Sequence, residues 1–398
     1  MSNRTKAAAR ARQRKCRALK KDRLFRQQRK ELQEKKLFCK NEAIGLKSRC
    51  CYDNKVQRIN ATQSTTLQVI PHVFQPKPNA KGGYNKGDVK LKQEYPTMTE
   101  REQLDVVLKR MQKSVNGNNQ GQRAKGFGYC GKKIKEDSNI LIVDKNATIY
   151  IKNEMANSKG ECYSIEVRYL KTTGKDGQIT KELIESAHRI GERWTKEADR
   201  GNKCPRGVLG GAMKHFGEKR GAGDEKAFYY GPTKGDIDNK KSWRGQNEDH
   251  ANLNRAAKKI ARVHFKGAYK DIKQMMKVLK KNIPKYLGGK DGLCSEFVQS
   301  QRGLVTEFHV DLDLTKCVSF WSLTVNEGGN ANTEGWYFVL PFLTGKYYRK
   351  QYAGIAIKLE HGVGIEWDGR EIFHCSTAPL NKSINVYGNF FGITKNGI

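Results

Sequence analysis

Phe308-His309-Val310-Asp311-Leu312 alternates apolar and polar residues. In an extended strand that alternation puts His309 and Asp311 on one face, an imidazole and a carboxylate side by side. Such a pair is one ligand short of the facial set of two histidines and one carboxylate that holds non-haem Fe(II) with three positions open. A histidine from a later strand supplies the third. His374 closes the run Gly364-Ile365-Glu366-Trp367-Asp368-Gly369-Arg370-Glu371-Ile372-Phe373-His374. This run has the pattern of a strand, a tight Asp368-Gly369 turn and a returning strand, so a hairpin is expected to bring His374 back toward the first two ligands. A competing assignment takes His361, which precedes Gly362 at the end of the Ile355 to Leu359 strand, where a histidine capping a turn is the simpler account. His309, Asp311 and His374 also fit a plainer description, as polar groups satisfied inside a β-sandwich.

Two kinds of element must position these residues. From Gly303 onward, 15 of the 36 aromatic residues fall in the last 96 positions, interleaved with valine, isoleucine and glycine, which predicts a dense β domain over 303–398. Residues 96–302 are mixed. Thr99 and Glu102 form a capping box before Leu104, Val107, Leu108 and Met111 at helical spacing. Ile140 to Val143 and Thr148 to Ile151 bracket a Lys145-Asn146 turn, and Tyr163, Ile165, Val167 and Tyr169 alternate as a strand. Helical spacing returns at Leu183, Ile184, Ala187, Ile190 and Trp194. Cys204 to Gly235 is glycine-rich and reads as loop. A long helical region follows through Leu253, Ile260, Ile272 and Leu279 to Pro284, its polar face crowded with lysine and arginine. Gly207, Gly210 and Gly211 lack the lysine and hydroxyl residue of a phosphate loop, so nucleotide binding is discounted.

Charge sets the expected surroundings. The chain has 76 Lys+Arg against 41 Asp+Glu, a formal +35. Residues 1–40 alone carry 16 Lys+Arg and 3 Asp+Glu, and with the proline-bearing stretch to residue 95 they read as a largely disordered basic tail and linker. The runs Arg12 to Arg17 and Lys20 to Arg23 suit nuclear import or a phosphate-binding arm. A cationic surplus of this size calls for a polyanionic partner, nucleic acid first, because neutralised phosphates release condensed counterions. The longest apolar run, Tyr337 to Leu343, is far short of a membrane span. Ten cysteines without a C-x-x-C pair read as reduced thiols of nucleus or cytosol.

The residues from Gly364 to His374 resemble the closing strands of the Fe(II)/2-oxoglutarate dioxygenase superfamily: a glycine, a hydrophobic strand, D-G-R and then the distal histidine. The resemblance covers about the last hundred residues. It implies a C-terminal double-stranded β-helix, or jelly roll, within an α+β chain, with His309, Asp311 and His374 binding iron. It also implies a basic residue several positions after the distal histidine that grips the far carboxylate of 2-oxoglutarate. Lys382 stands there, where arginine with its two parallel donors is commoner, so ascorbate or another keto acid stays open as cosubstrate. In the competing assignment Arg370 is the anchor for His361. Gly335-Trp336-Tyr337-Phe338, Ile355 to Leu359 and Trp367 to Arg370 look most like the TET/JBP-type nucleic-acid oxygenases and their algal and transposon-associated relatives.

That likeness implies hydroxylation of a C–H on a nucleic-acid base, such as the methyl of 5-methylcytosine or thymine, with DNA favoured over RNA. Such an enzyme must hold a phosphate backbone and extrude the base. Phe320, Trp321, Trp336 and Tyr337 are candidates for an apolar wall, and Arg302, Tyr347, Tyr348 and Arg349 for backbone contact or stacking. Two other classes stay open: a prolyl or lysyl protein hydroxylase, and a basic nucleic-acid-binding protein without catalysis.

Overall fold

The period-2 and period-3.6 segments become two packed sheets with helices on the outside. The computed structural model describes residues 56–64, 67–73, 98–99, 101–102, 104–109, 127–153, 162–198, 208–220, 228–230, 240–282, 296–310, 314–323, 332–369, 372–381 and 383–394. The basic tail over residues 1–40, Asp311, Arg370 and Lys382 lie outside these residues.

In chain order β1 (Gln57–Gln63), β2 (His72–Val73) and β3 (Phe127–Gly128) precede a short helix, α1 (Gly131–Glu136). Next come β4 (Ile140–Val143), β5 (Ala147–Asn153), β6 (Cys162–Tyr169), the long helix α2 (Gly174–Ala198), β7 (Val208–Arg220) and β8 (Phe228–Tyr230). Two more helices, α3 (Lys240–His264) and α4 (Lys266–Asn282), lead into β9 (Glu296–Thr306) and β10 (Leu314–Leu323). The chain finishes with β11 (Tyr337–Leu340), β12 (Leu343–Tyr347), β13 (Lys350–Tyr352), β14 (Gly354–Lys358), β15 (Val363–Trp367), β16 (Cys375–Ser376) and β17 (Val386–Thr394). The large sheet has eleven strands in the order β13-β12-β1-β5-β6-β15-β10-β17-β9-β7-β8, the small sheet four, β16-β11-β14-β4, and β2 and β3 pair as a separate two-stranded sheet.

Alternation along the strands assigns each face. Ile59, Ile149, Ile165, Val363, Ile365 and Trp367 of the large sheet meet Phe338, Leu340, Ile355 and Ile357 of the small one in a single apolar cluster. The opposite face of the small sheet, with Val339 and Ala356, packs against Phe127, Tyr129, Ile134 and Val107. On the far face of the large sheet Phe391 meets Leu183, Ile184, Ala187 and Ile190 of α2 and Leu253, Ala257, Ile260 and Ile272 of α3 and α4. Burial at i, i+3, i+4 and i+7 is what fixes these helices, since propensity alone seldom holds a helix in water. The capping box forms: the Thr99 N–H donates to the Glu102 carboxylate (2.7 Å) and the Glu102 N–H to the Thr99 hydroxyl (3.4 Å).

Several expectations are corrected. β1, in the stretch read as linker, pairs in parallel with β5 and antiparallel with β12, with Ile59, Ala61 and Gln63 buried. The glycine-rich segment read as loop contains β7, which pairs along β9; Gly210, Gly211 and Gly217 have no side chain to alternate, so their strand leaves no periodic trace. The strands either side of Lys145-Asn146 enter different sheets, β4 beside β14 and β5 beside β1. The long helical region consists of two helices that meet at Phe265, which is fully buried. Strands from residues 57–63 and 140–169 therefore share sheets with those after residue 303.

The expected hairpin at Asp368-Gly369 is also absent. Both edges of β15 are already taken, by β10 and by β6, so a returning strand has nothing to pair with. The chain instead turns through the Ile372 N–H to Asp368 carbonyl bond (3.2 Å) and crosses to the small sheet.

Candidate functional site

That crossing builds the site. His374 pairs antiparallel with His309 as an isolated bridge. The His309 N–H donates to the His374 carbonyl (3.0 Å), and the His374 N–H to the His309 carbonyl (2.8 Å). Phe308, Val310, Phe373 and Cys375 face the outer core of the small sheet. Alternation turns the intervening His309 and His374 toward the space between the sheets. Their ring centroids lie 4.4 Å apart, and both residues are buried.

Each ring is oriented in the same way. Nδ1 of His309 lies 2.5 Å from the Glu307 carbonyl oxygen, and Nδ1 of His374 lies 2.9 Å from that of Ile372. A carbonyl oxygen only accepts, so each Nδ1 carries the hydrogen, and in the neutral ring Nε2 carries the lone pair. This is the outer-shell arrangement that fixes a metal-binding histidine for ligation through Nε2. With both Nδ1 atoms hydrogen-bonded to backbone carbonyls, the pair has the donor chemistry of two histidine ligands.

The walls are aromatic. Phe338 stacks on the His374 ring (5.3 Å, 28°), Trp367 meets the same ring at an edge (4.2 Å, 74°), and the two aromatics contact each other (4.8 Å). All are buried. Among the described residues the Trp367 indole N–H, also buried, has no hydrogen-bond partner. Cys375 follows His374 but faces away, and burial holds its thiol well above the usual range, so it is an inert core residue.

The structure brings together two of the three expected ligands. Among the described residues no group of three His, Cys, Asp or Glu side chains converges on a point. Asp311 follows His309 by two positions, outside the described residues. His361 is not part of the pair: it sits in the turn before β15, whose other end carries Trp367 against His374. Burial lowers the pKa of His361 there. Strand β17 carries neither lysine nor arginine. Of the residues expected to form an apolar wall, Trp336 joins the core between the sheets and Tyr337 the outer one, while the side chains of Phe320 and Trp321 lie outside the described residues. Phe338 and Trp367, which do touch His374, were legible only as members of sequence runs; knowing which face of β11 and β15 meets the second sheet would have singled them out.

No family model matches the sequence, and no curated protein matches it. Among solved structures the chain is similar to NgTET1 in complex with 5mC DNA, at 12% identity and a TM-score of 0.38, covering 67% of this chain and 88% of that one. No helix among the described residues is long and apolar enough to cross a membrane.

Proposed function

We propose that the chain is an Fe(II)- and 2-oxoglutarate-dependent oxygenase that hydroxylates a C–H of a nucleic-acid base, such as the methyl of 5-methylcytosine or thymine. The observation that carries this reading is the His309–His374 bridge, with both Nδ1 atoms held by backbone carbonyls, both rings buried against each other and the His374 ring lined by Phe338 and Trp367. Asp311, two positions after His309 in the sequence, is the third ligand in this reading, and Lys382 holds the far carboxylate of 2-oxoglutarate.

The strand order supports a double-stranded β-helix around the pair. From β9 the chain visits the large sheet, then the His309 segment beside His374, then β10 in the large sheet. It continues through β11 in the small sheet, the β12–β13 hairpin at the edge of the large one, β14 in the small, β15 in the large, the His374–Ser376 segment in the small, and β17 in the large. The large-sheet order β15-β10-β17-β9 and the small-sheet order from 309 through 374–376 to β11 and β14 support that reading, since two interleaved Greek keys would give the same neighbours. Bound Fe(II) with the keto acid supplies oxygen activation coupled to decarboxylation. His309, Asp311 and His374 would hold the ion, the Glu307 and Ile372 carbonyls fix the ring tautomers, and Phe338 and Trp367 would exclude water. The formal +35 charge supports a nucleic-acid substrate, and the basic runs in residues 1–40 support a nuclear location.

The test is anaerobic Fe(II) titration of the full chain, with and without 2-oxoglutarate, followed by succinate release in air. Stoichiometric binding that His309→Ala, Asp311→Ala and His374→Ala each abolish, and His361→Ala leaves intact, is expected. Absence of iron binding in the wild type overturns the enzyme reading. Mass spectrometry of treated DNA, RNA and peptides then separates base oxidation from protein hydroxylation.

A further inference from the structure

Strands β12 and β13 form a hairpin at the edge of the large sheet. Tyr347 pairs with Lys350, which leaves Tyr348 and Arg349 as a two-residue loop. Both have positive φ, 45° and 68°, the type I′ geometry that such a loop requires and that Asn-Gly or Asp-Gly adopts without strain. Tyrosine and arginine adopt it at a cost, so the base of the hairpin must impose it. It does so through Tyr352, buried, whose hydroxyl donates to the Asn60 carbonyl of β1 (2.6 Å), and through Gly345, where a Cβ would come within 2.7 Å of that same oxygen. With the register locked on β1, the loop has no slack.

The strained residues face outward. Tyr348 is 85% exposed, and its one ring contact among the described residues is the edge of Tyr347 (4.4 Å, 71°). Lys346, Arg349 and Lys350 are exposed around it, and Thr344 to Tyr352 contains no acidic residue. Arg349 forms no ion pair among the described residues. An exposed aromatic face among three cations is the pairing that recognises single-stranded nucleic acid, a ring for the base and cations for the flanking phosphates. A membrane-inserting tip needs exposed aliphatic bulk beside the ring, and the other large apolar side chains exposed among the described residues, Val263 and Leu380, belong to other elements.

We propose that the Tyr347–Lys350 hairpin tip is a binding site for an unpaired nucleobase and its adjoining phosphates, with Tyr348 stacking on the base and Lys346, Arg349 and Lys350 holding the backbone. The site stands on the hairpin alone and does not depend on metal binding by His309 and His374. The experiment uses the full chain without iron or cosubstrate and follows a fluorescein-labelled single-stranded oligonucleotide by anisotropy. Tyr348→Ala is expected to weaken binding about 10-fold, and Tyr348→Phe to retain it. Replacing Tyr348-Arg349 by Asn-Gly separates strain from function: it is expected to raise Tm by about 1–3 °C while weakening binding at least as much as Tyr348→Ala. Unchanged affinity in Tyr348→Ala or in the Asn-Gly variant overturns the site. So does binding to phosphatidylserine vesicles that depends on Tyr348 when oligonucleotide binding does not.

Discussion

His309 and His374 exchange both backbone hydrogen bonds across a single antiparallel bridge, and their rings stand 4.4 Å apart with matching Nδ1-to-carbonyl bonds. The two histidines are thus fixed relative to each other by main chain. Replacing either with glutamine keeps the bridge and removes an imidazole donor. Each variant is expected to melt within a few degrees of wild type, about the cost of one buried hydrogen bond, while losing Fe(II) affinity by about 10-fold or more. Differential scanning calorimetry beside iron titration checks both; a collapse in Tm with retained iron binding would assign the pair a structural role.

Trp367 carries a buried N–H with no hydrogen-bond partner among the described residues, beside the His374 ring. A buried unsatisfied donor costs about 1–3 kcal/mol, which Trp367→Phe relieves while losing a comparable amount of packing. Stability in urea is expected to change by no more than about 1 kcal/mol. If the N–H serves an oxygen of a bound keto acid, calorimetric titration with 2-oxoglutarate and Fe(II) under argon will show weaker binding in the variant.

Gly131 opens α1 against the backbone of Gly335, whose carbonyl carbon lies 2.6 Å from where a Cβ would stand. Neither side can yield without moving main chain just ahead of β11, the strand that places Phe338 on His374. Gly131→Ala is expected to cost about 2–4 kcal/mol, against about 1–2 kcal/mol for Gly174→Ala, where φ is +73° but the surrounding space is open. Chemical denaturation of the two variants gives the comparison directly.

His72 packs against Tyr129, and burial, aided by Lys133, lowers its pKa from 6.5 to about 4. The unfolded chain therefore takes up this proton before the folded one. The contribution is complete above pH 6.5 and is lost as pH falls toward 4, on the order of 1 kcal/mol once partial exposure is allowed for. In His72→Gln the stability profile across that window should flatten; an unchanged slope would place the titration elsewhere.

Arg255, Lys259, Arg262, Lys266, Lys270 and Lys273 are exposed along α3 and α4, opposite the buried face of Ala256, Ile260 and Ile272. If they line a phosphate backbone, changing each to glutamine lowers the slope of log affinity against log salt by about 1 for every phosphate left without its cation. Duplex binding across a salt series measures this. An unchanged slope would leave the stripe as a solvated face.

The amino-acid sequence by itself determined what depends on neighbours along the chain. The capping box at Thr99 and Glu102, the buried stripes of α2 to α4, and the alternation that turns His309 away from Phe308 and Val310 all follow from local period and side-chain chemistry. What the tertiary structure decided was pairing. A strand carries two edges, and nothing local in Gly364 to Trp367 says that β10 and β6 occupy both, which is why the Asp368-Gly369 hairpin gives way to a crossing between sheets. That crossing carries His374 to His309 by a different route from the expected one, and leaves His361 at the other end of β15. Likewise β1 and β7 are strands because partners hold them, β5 and β12 on one side and β9 on the other, while their own residues carry too weak an apolar signal to announce it. Strand partners come from distant sequence, and their hydrogen bonds are made by backbone groups common to every residue, so register and neighbour are settled only when the whole core packs.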